Sequence, residues 1–329
     1  FLHKYLNILN TGMAKAWYKM GFVVCADIGG TNCSVSLMDT KKNKRLVLES
    51  RPTMEIKDFT RFLSDFLTKT GRRVEGAGIA IAGPVTGKEA KLTNGSLKVK
   101  IKELQRKAGI AKVILLNDLE ATANSLNLLD RKSLYTLRRG KQKKAHNKAV
   151  VGVGTGLGAA IAHYNHSYNP IPTEYGHSEP SIDRHLFRHI EKELGRTPDY
   201  EELVSGRGLE RIYKLIQKDY KVTKGLNAGR ISKEKETNPC AKEAFRIFVK
   251  HLAGFSRNFC LSCLPLSGLY ISGGIAANNY KAFSGFADEL SNHPREEIKT
   301  LLKQIPVHII TDYYINHLGA LYALKKEVL

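Results

Sequence analysis

Two widely separated segments share one pattern: an apolar strand, a glycine-containing turn and a second strand. In residues 22–39 the turn is Asp27-Ile28-Gly29-Gly30-Thr31-Asn32, and in residues 149–164 it is Gly152-Val153-Gly154-Thr155-Gly156-Leu157-Gly158. Each segment predicts a β-hairpin, because glycine permits the tight turn between two strands. The recurrence predicts two related domains that each begin with such a hairpin.

Short apolar strands alternate with helical spacing along the rest of the chain, which predicts an α/β protein. The predicted strands are 76–82, 112–116 and 268–272, and the predicted helices are 57–70, 119–129, 209–216 and 241–264. We also expect a strand and a helix over 309–325. Residues 131–148 are predicted to be a basic connector between the domains. A short helix is expected over 200–204, ended by Gly206 and Gly208.

The chain has 329 residues, 42% hydrophobic and 25% charged. This length suits two domains, and the composition excludes general disorder. No apolar run approaches the roughly 18 residues that cross a bilayer. We therefore expect a soluble protein without a membrane partner. The first residues lack the apolar core of a signal peptide, so residues 1–21 are predicted to be an extension outside the fold.

Fifty-two Lys and Arg residues against 31 Asp and Glu residues give a formal net charge of +21. This surplus favours anionic ligands such as nucleotides. The basic residues occur in short runs without the spacing of a nucleic-acid-binding motif, so no nucleic acid partner is expected. Among the five cysteines, Cys260 and Cys263 form one C-x-x-C pair, but no second pair completes a zinc site. All five are expected to be reduced thiols in a cytoplasmic protein.

The glycine turns can present backbone N–H groups to phosphate, and Asp27 can hold Mg²⁺ directly or through water. An ordinary hairpin turn is the alternative for each. The pattern Gly154-x-Gly156-x-x-Ala159, with Glu174 further on, also fits a dinucleotide-binding fingerprint. That fingerprint must begin a helix, whereas the residues after it favour a strand. Gly273-Gly274, between a strand and a helix, is either a ligand-binding turn or a plain connection.

Several polar residues follow predicted strands or lie in loops. Asp118, after the strand that ends near Asn117, is placed to accept a substrate proton. The alternative for Asn117 is an N-terminal helix cap completed by Glu120. Glu174 and His177 either bind sugar hydroxyls from a loop or are ordinary surface side chains. Glu201, by itself, would be a solvated charge in a helix.

These motifs together, in this order, resemble the bacterial glucokinase family. These enzymes are relatives of hexokinase and the ROK sugar kinases within the actin-like ATPase superfamily. The resemblance runs from about residue 22 to the C-terminal region. It implies a two-domain, ribonuclease H-like α/β fold with an interdomain cleft. The implied domains are a small one, 22–125 plus 312–329, and a large one, 126–311. A homodimer is left open.

The resemblance implies ATP-dependent phosphorylation of glucose, with Mg²⁺ as cofactor and Asp118 as the catalytic base. The residues implied to bind the sugar are Asn94, Asn117, Asp118, Glu174, His177 and Glu201. The residues implied to bind ATP are Asp27, Ile28, Gly29, Gly30, Thr31, Asn32, Gly154, Thr155, Gly156, Gly273 and Gly274, with Asp27 also at the metal.

Three departures bear on these expectations. Residues 178–188 lack the cysteines with which ROK kinases bind zinc, so no zinc is expected. Thr173 stands where the family usually has glycine, and Leu97 where it commonly has an aromatic residue. The hexose is therefore left open among glucose, mannose, glucosamine and N-acetylated amino sugars. A non-catalytic sugar-binding regulator on the same fold is the other alternative.

Overall fold

Both predicted glycine-turned hairpins are present, and each is part of a large sheet. The structure, a computed structural model, describes residues 21–93 and 95–328. Contacts divide these residues into two units, one up to Leu129 and from Tyr314 onwards, the other Asp130–Tyr313. The predicted extension, residues 1–21, lies outside the described residues except for Gly21.

The first unit contains a five-stranded sheet in the order β3-β2-β1-β4-β8. Strands β1, β2 and β3 form an antiparallel meander, and β4 and β8 continue parallel to β1. A small three-stranded sheet, β5-β6-β7, follows β4 in the chain. The elements of this unit are β1 Phe22–Ile28, β2 Asn32–Asp39, β3 Lys44–Pro52, α1 Phe59–Thr70, β4 Gly76–Ile81, β5 Val85–Thr86, β6 Glu89–Lys91, β7 Lys98–Lys100, α2 Ile101–Ala108, β8 Lys112–Asn117, α3 Asp118–Ser125 and the final helix Ile315–Val328.

The second unit contains a six-stranded sheet in the order β12-β11-β10-β13-β14-β9. Its meander β10-β11-β12 and the parallel strands β13 and β14 repeat the order of the first sheet, although β9 precedes the hairpin, so this unit does not begin with it as predicted. The elements are β9 Leu134–Arg138, β10 Lys148–Val153, β11 Leu157–Asn165, β12 Ser167–Thr173, α4 Arg184–Leu194, α5 Gly206–Ile216, α6 Ala228–Glu234, α7 Pro239–Cys263, β13 Leu269–Ser272, α8 Gly274–Asn279, α9 Phe286–Leu290, α10 Glu296–Gln304 and β14 Val307–Ile310. The final helix Ile315–Val328 is α11.

Apart from Asp27, strand β1 is apolar, because both of its faces are covered. Val24, Ala26 and Ile28 belong to a core that includes side chains of α1. Val23 and Cys25, on the other face, pack in a core with side chains of α11. In the second unit, the long helix α7 covers one face of the sheet, with Pro239 at its first turn and Asn238 as its cap. Burial on two faces of β1 fixes the position of Asp27 near its end.

Helix α11 lies in direct contact with α3 and β4. A Cβ atom added to Gly319 would lie 1.6 Å from the carbonyl oxygen of Ala121, and one added to Gly78 would lie 2.7 Å from that of Ala320. Only glycine permits so close an approach at both positions. The approach brings the first turn of α11 to the ends of the strands that carry the predicted catalytic residues.

The predictions differ from the structure in three places. Residues 131–148 are not a plain basic connector, because Leu134–Arg138 form β9 and pair with β14. Residues 200–204 form a turn instead of a helix, with Leu203 and Val204 both donating to the Tyr200 carbonyl. Gly206 and Gly208 begin α5 under the cap of Ser205 instead of ending a helix. The basic residues of this segment obscured the pattern of strand β9. At α5, the cap made by the Ser205 hydroxyl offsets the low helix propensity of the two glycines.

Candidate active site

The first group of site residues lies at the carboxyl ends of β1 and β8. Asp27 is the penultimate residue of β1, and Asp118 begins α3 directly after β8. Burial, and then the charge of Asp118, raise the pKa of Asp27 to about 7. A hydrogen bond from Asn316 acts in the opposite direction on that pKa. A cation bound beside these two carboxylates would offset the repulsion between them.

Asn117 makes the capping box considered above. Its Oδ1 accepts from the Leu119 N–H at 2.9 Å, and Glu120 Oε2 accepts from the Asn117 N–H at 2.9 Å. The Asn117 Nδ2 donates to the Gly83 carbonyl at 3.3 Å. The Asp118 Oδ1 also accepts from the Leu119 N–H, at 3.0 Å. The cap therefore begins α3 immediately at Asp118 and orients its carboxylate.

The first glycine turn joins β1 to β2. The Gly29 N–H donates to the Asn32 carbonyl at 2.9 Å, and the Thr53 hydroxyl donates to the Gly29 carbonyl at 2.7 Å. Ile28 is buried, whereas Gly30 and Thr31 are exposed. The turn is thus fixed on its protein side and presents its tip outward, as anion binding requires.

The second glycine turn joins β10 to β11. The Gly154 N–H donates to the Gly156 carbonyl at 2.9 Å, and the Gly206 N–H donates to the Gly154 carbonyl at 2.8 Å. Strand β11 follows this turn, so the helix required by a dinucleotide fingerprint does not form. Gly273 lies beside Val153 with φ 97, where a Cβ would be 2.3 Å from the Val153 carbonyl oxygen. Gly274 then begins α8.

Glu174, His177 and Glu201 are brought together in the second unit. Glu174 precedes a short 3-10 helix that contains His177. The Glu201 N–H donates to the Gly176 carbonyl at 3.0 Å, and its Oε2 accepts from the Leu157 N–H at 2.9 Å. This places the Glu201 carboxylate at the end of the second glycine turn. Glu201 lies in a turn, contrary to the predicted helix.

His177 has a partner that the sequence did not indicate. Its Nδ1 lies 2.9 Å from Asp199 Oδ2, and this hydrogen bond raises the pKa of His177. The Arg207 guanidinium lies 3.5 Å from Glu201 Oε1. Asp199 follows Pro198 in an irregular segment, where no spacing rule indicates a function. Asn94, also predicted to bind the sugar, lies outside the described residues.

The donor set can be tested against the implied Mg²⁺. Mg²⁺ is usually bound by one or two carboxylates together with water and substrate phosphates. The Asp27 carboxyl, destabilised as an anion by burial and by Asp118, fits that role because a divalent cation offsets both effects. Within residues 21–93 and 95–328, no group of three or more His, Cys, Asp or Glu side chains could hold a metal ion. Across the same residues, no helix is long and apolar enough to cross a bilayer.

The fold has close counterparts among solved structures. The glucokinase from an Antarctic psychrotroph matches with a TM-score of 0.78 at 25% identity, over 94% of this chain and 100% of that chain. The ROK family glucokinase from Streptomyces griseus, in complex with glucose and AMPPNP, matches with a TM-score of 0.65 at 18% identity, over 91% and 98%. The fold and the paired glycine turns thus define a sugar kinase of the actin-like ATPase class.

The sequence comparisons narrow this class to one family. The sequence profile of the Glucokinase family matches residues 24–327. The glucokinase of Nostoc punctiforme is 27% identical in an alignment that covers 92% of this chain and 98% of that protein. The chain belongs to the glucokinase family, which confirms the resemblance seen in its motifs.

Proposed function

We propose that this protein transfers the γ-phosphoryl group of ATP to the 6-hydroxyl of glucose. The observation that carries the proposal is the position of Asp118. It begins α3 at the end of β8, oriented by the Asn117 cap and close enough to Asp27 to raise the pKa of that carboxyl. A carboxylate fixed in this way suits proton abstraction from a hydroxyl nucleophile.

Asp118 accepts the proton of the sugar 6-hydroxyl as its oxygen attacks the γ-phosphorus. The bond from that phosphorus to the β,γ-bridging oxygen breaks, and ADP leaves with the electron pair. The Leu119 N–H holds one oxygen of Asp118, which fixes the direction of the carboxylate. Fixed geometry of this kind lowers the entropic part of the barrier.

Asn94, Asn117, Glu174, His177 and Glu201 bind the other hydroxyls of the sugar. Asp199 occupies the Nδ1 side of His177, so Nε2 is the atom that reaches the hexose. Glu201 already accepts the Leu157 N–H with Oε2, so this residue connects the sugar to the second glycine turn. Thr173, directly before Glu174, departs from the glycine that is usual in the family. The preferred hexose therefore has to be measured.

The glycine turns bind the nucleotide. Residues 28–32 and 154–156 supply backbone N–H donors to the phosphates, and Gly273 and Gly274 bind the nucleoside at the start of α8. Asp27 holds Mg²⁺, with or without an intervening water. When bound, Mg²⁺ neutralises charge on the phosphates and thereby lowers the barrier to their transfer.

The experiment is a coupled ADP-release assay with glucose, mannose, glucosamine and N-acetylglucosamine, each with ATP and Mg²⁺. We expect the highest kcat/KM with glucose and loss of turnover with EDTA, restored by Mg²⁺. A better substrate than glucose would replace the assigned sugar. Glucose binding by calorimetry without ADP release from any sugar would refute the kinase and favour a sugar-binding regulator.

A further inference from the structure

One amide side chain connects the segments that carry the two carboxylates. The Asn316 Nδ2 donates to Asp27 Oδ2 at 3.2 Å. The Asn316 Oδ1 accepts from the Thr122 hydroxyl at 2.6 Å. The same hydroxyl lies 3.1 Å from the carbonyl oxygen of Asp118, one turn earlier in α3. Asn316 therefore joins the end of β1 to the first turn of α3.

Both ends of the amide are needed for this connection. Asp27, when ionised, offers only acceptors, and the Thr122 hydroxyl has one proton to share between the Asn316 and Asp118 oxygens. An amide supplies a donor to the first and an acceptor to the second. A carboxylate at position 316 would repel Asp27, and an aliphatic side chain would leave both partners without this bond.

The backbone makes the connection rigid. The close contacts of Gly319 with Ala121 and of Ala320 with Gly78 fix the first turns of α11 against α3 and β4. Thr122 is buried, with 3% of its surface exposed. A side chain held from a fixed helix orients its partners more precisely than one on a loop.

We propose that Asn316, acting with Thr122, is a positioning residue that holds the Asp27 carboxylate by Oδ2 in a fixed relation to α3. Oδ1 of Asp27 would then be the oxygen available to hold Mg²⁺. The inference rests on the proposed function, since it assigns Asp27 to the metal and Asp118 to the hexose. It predicts defects in Mg²⁺ use and in kcat, with the hexose KM unaffected.

The test uses Asn316→Leu, Thr122→Val and Thr122→Ser in the full chain, with Asn127→Ala as the matched control. The Asn127 Nδ2 donates to the Asn124 carbonyl just after α3. We expect Asn316→Leu to lower kcat by about 10²-fold, the loss that a small misplacement of a reacting group can cause. Thr122→Val should lower kcat in the same direction, and Thr122→Ser should restore it. Asn127→Ala should keep the parent kcat.

A readout independent of turnover is the rise in Tm caused by ADP with Mg²⁺, compared with ADP alone and with glucose alone. In Asn316→Leu the Mg²⁺-dependent part should disappear, while the glucose-dependent part remains. Parent kcat and Mg²⁺ response in Asn316→Leu and Thr122→Val, or equal loss of the glucose and Mg²⁺ responses, would overturn the inference. If the parent phosphorylates no hexose, the proposed function fails, and the Mg²⁺-dependent Tm still tests Asn316.

Discussion

The Nδ1 of His177 and the Oδ2 of Asp199 form a hydrogen bond of 2.9 Å beside the predicted sugar-binding residues. Asp199 raises the pKa of His177, so the imidazole stays protonated to a higher pH than an isolated histidine. A substitution that removes the charge of Asp199 but keeps its hydrogen-bond acceptor can therefore test the effect of this charge on His177.

Asp199→Asn should lower the pKa of His177, because the anion that favours the imidazolium form is removed. The amide can still accept from Nδ1–H, so the ring should remain in place. The measurement is the titration of His177 by NMR, with Asp65→Asn, at an exposed position of helix α1, as a control of equal charge change. An unchanged midpoint in Asp199→Asn would contradict the assigned role of the pair.

Asp118→Asn should reduce turnover by about 10²- to 10⁴-fold, the usual contribution of a general base. The amide keeps an oxygen that can accept from Leu119 N–H, so α3 should form as in the parent. Coupled ADP release measures turnover, and circular dichroism with an ATP-induced Tm shift checks folding and nucleotide binding. Turnover within about threefold of the parent would refute Asp118 as the base.

Gly319→Ala should destabilise the first unit, by at least the ~1–3 kcal/mol typical of overpacking. The added methyl would lie 1.6 Å from the Ala121 carbonyl oxygen, which no side-chain rotation relieves. Gly254→Ala is the matched control, because a Cβ there meets only Arg257 Nη2 at 3.8 Å in the interior of α7. It should be neutral or raise the free energy of unfolding by up to ~1 kcal/mol. The free energies of unfolding of both variants are measured in urea. Equal changes in the two variants would contradict the close approach of α11 to α3.

Because His317 is buried, we expect the free energy of unfolding to fall in acid. Its side chain is fully buried, with Nε2 2.8 Å from the Ser34 hydroxyl, and burial lowers its pKa to about 3. Between pH 6.5 and about 3 the unfolded chain binds a proton that the folded chain excludes. The free energy of unfolding should therefore fall with decreasing pH in that window, by at most about 1.4 kcal/mol per pH unit for this group.

The variant for this prediction is Ser34→Ala with His317→Leu, which removes the titrating group together with its hydrogen-bond partner. Its urea midpoint should depend less on pH below 6.5 than that of the parent. His189→Leu, at an exposed position on α4, should keep the parent pH dependence. A double variant with an unaltered slope would show that His317 does not titrate on unfolding.

Local patterns were sufficient to predict the two hairpins, the strands β4, β8 and β13 and the helices α1, α3, α5, α7 and α11. The turn at Gly29 and Gly30 and the strand that precedes Asn117 are encoded within a few neighbouring residues. Strand β9 was missed because its apolar Leu134 and Leu137 lie within a basic segment. The segment around Glu201 was misread because Ser205 begins a helix where the following glycines indicated an end.

The partners of the site residues could not be predicted, because they depend on contacts between distant parts of the chain. Asn316 reaches Asp27 across 289 residues of sequence. Asp199 reaches His177 across 22 residues through an irregular turn. Neither contact has a spacing that a motif can encode. Such residues become visible only when the packing that brings them together is known.

The first unit is discontinuous, since α11 is the last helix of the chain and yet covers one face of β1. During synthesis, a ribosome will have released all of the second unit before this covering helix emerges. Until then, Val23, Cys25 and Met38 of the nascent meander β1-β2-β3 lack the helix that packs against them. Although most of it is made first, the unit that contains Asp27 and Asp118 can complete its core only after the second unit has been synthesised.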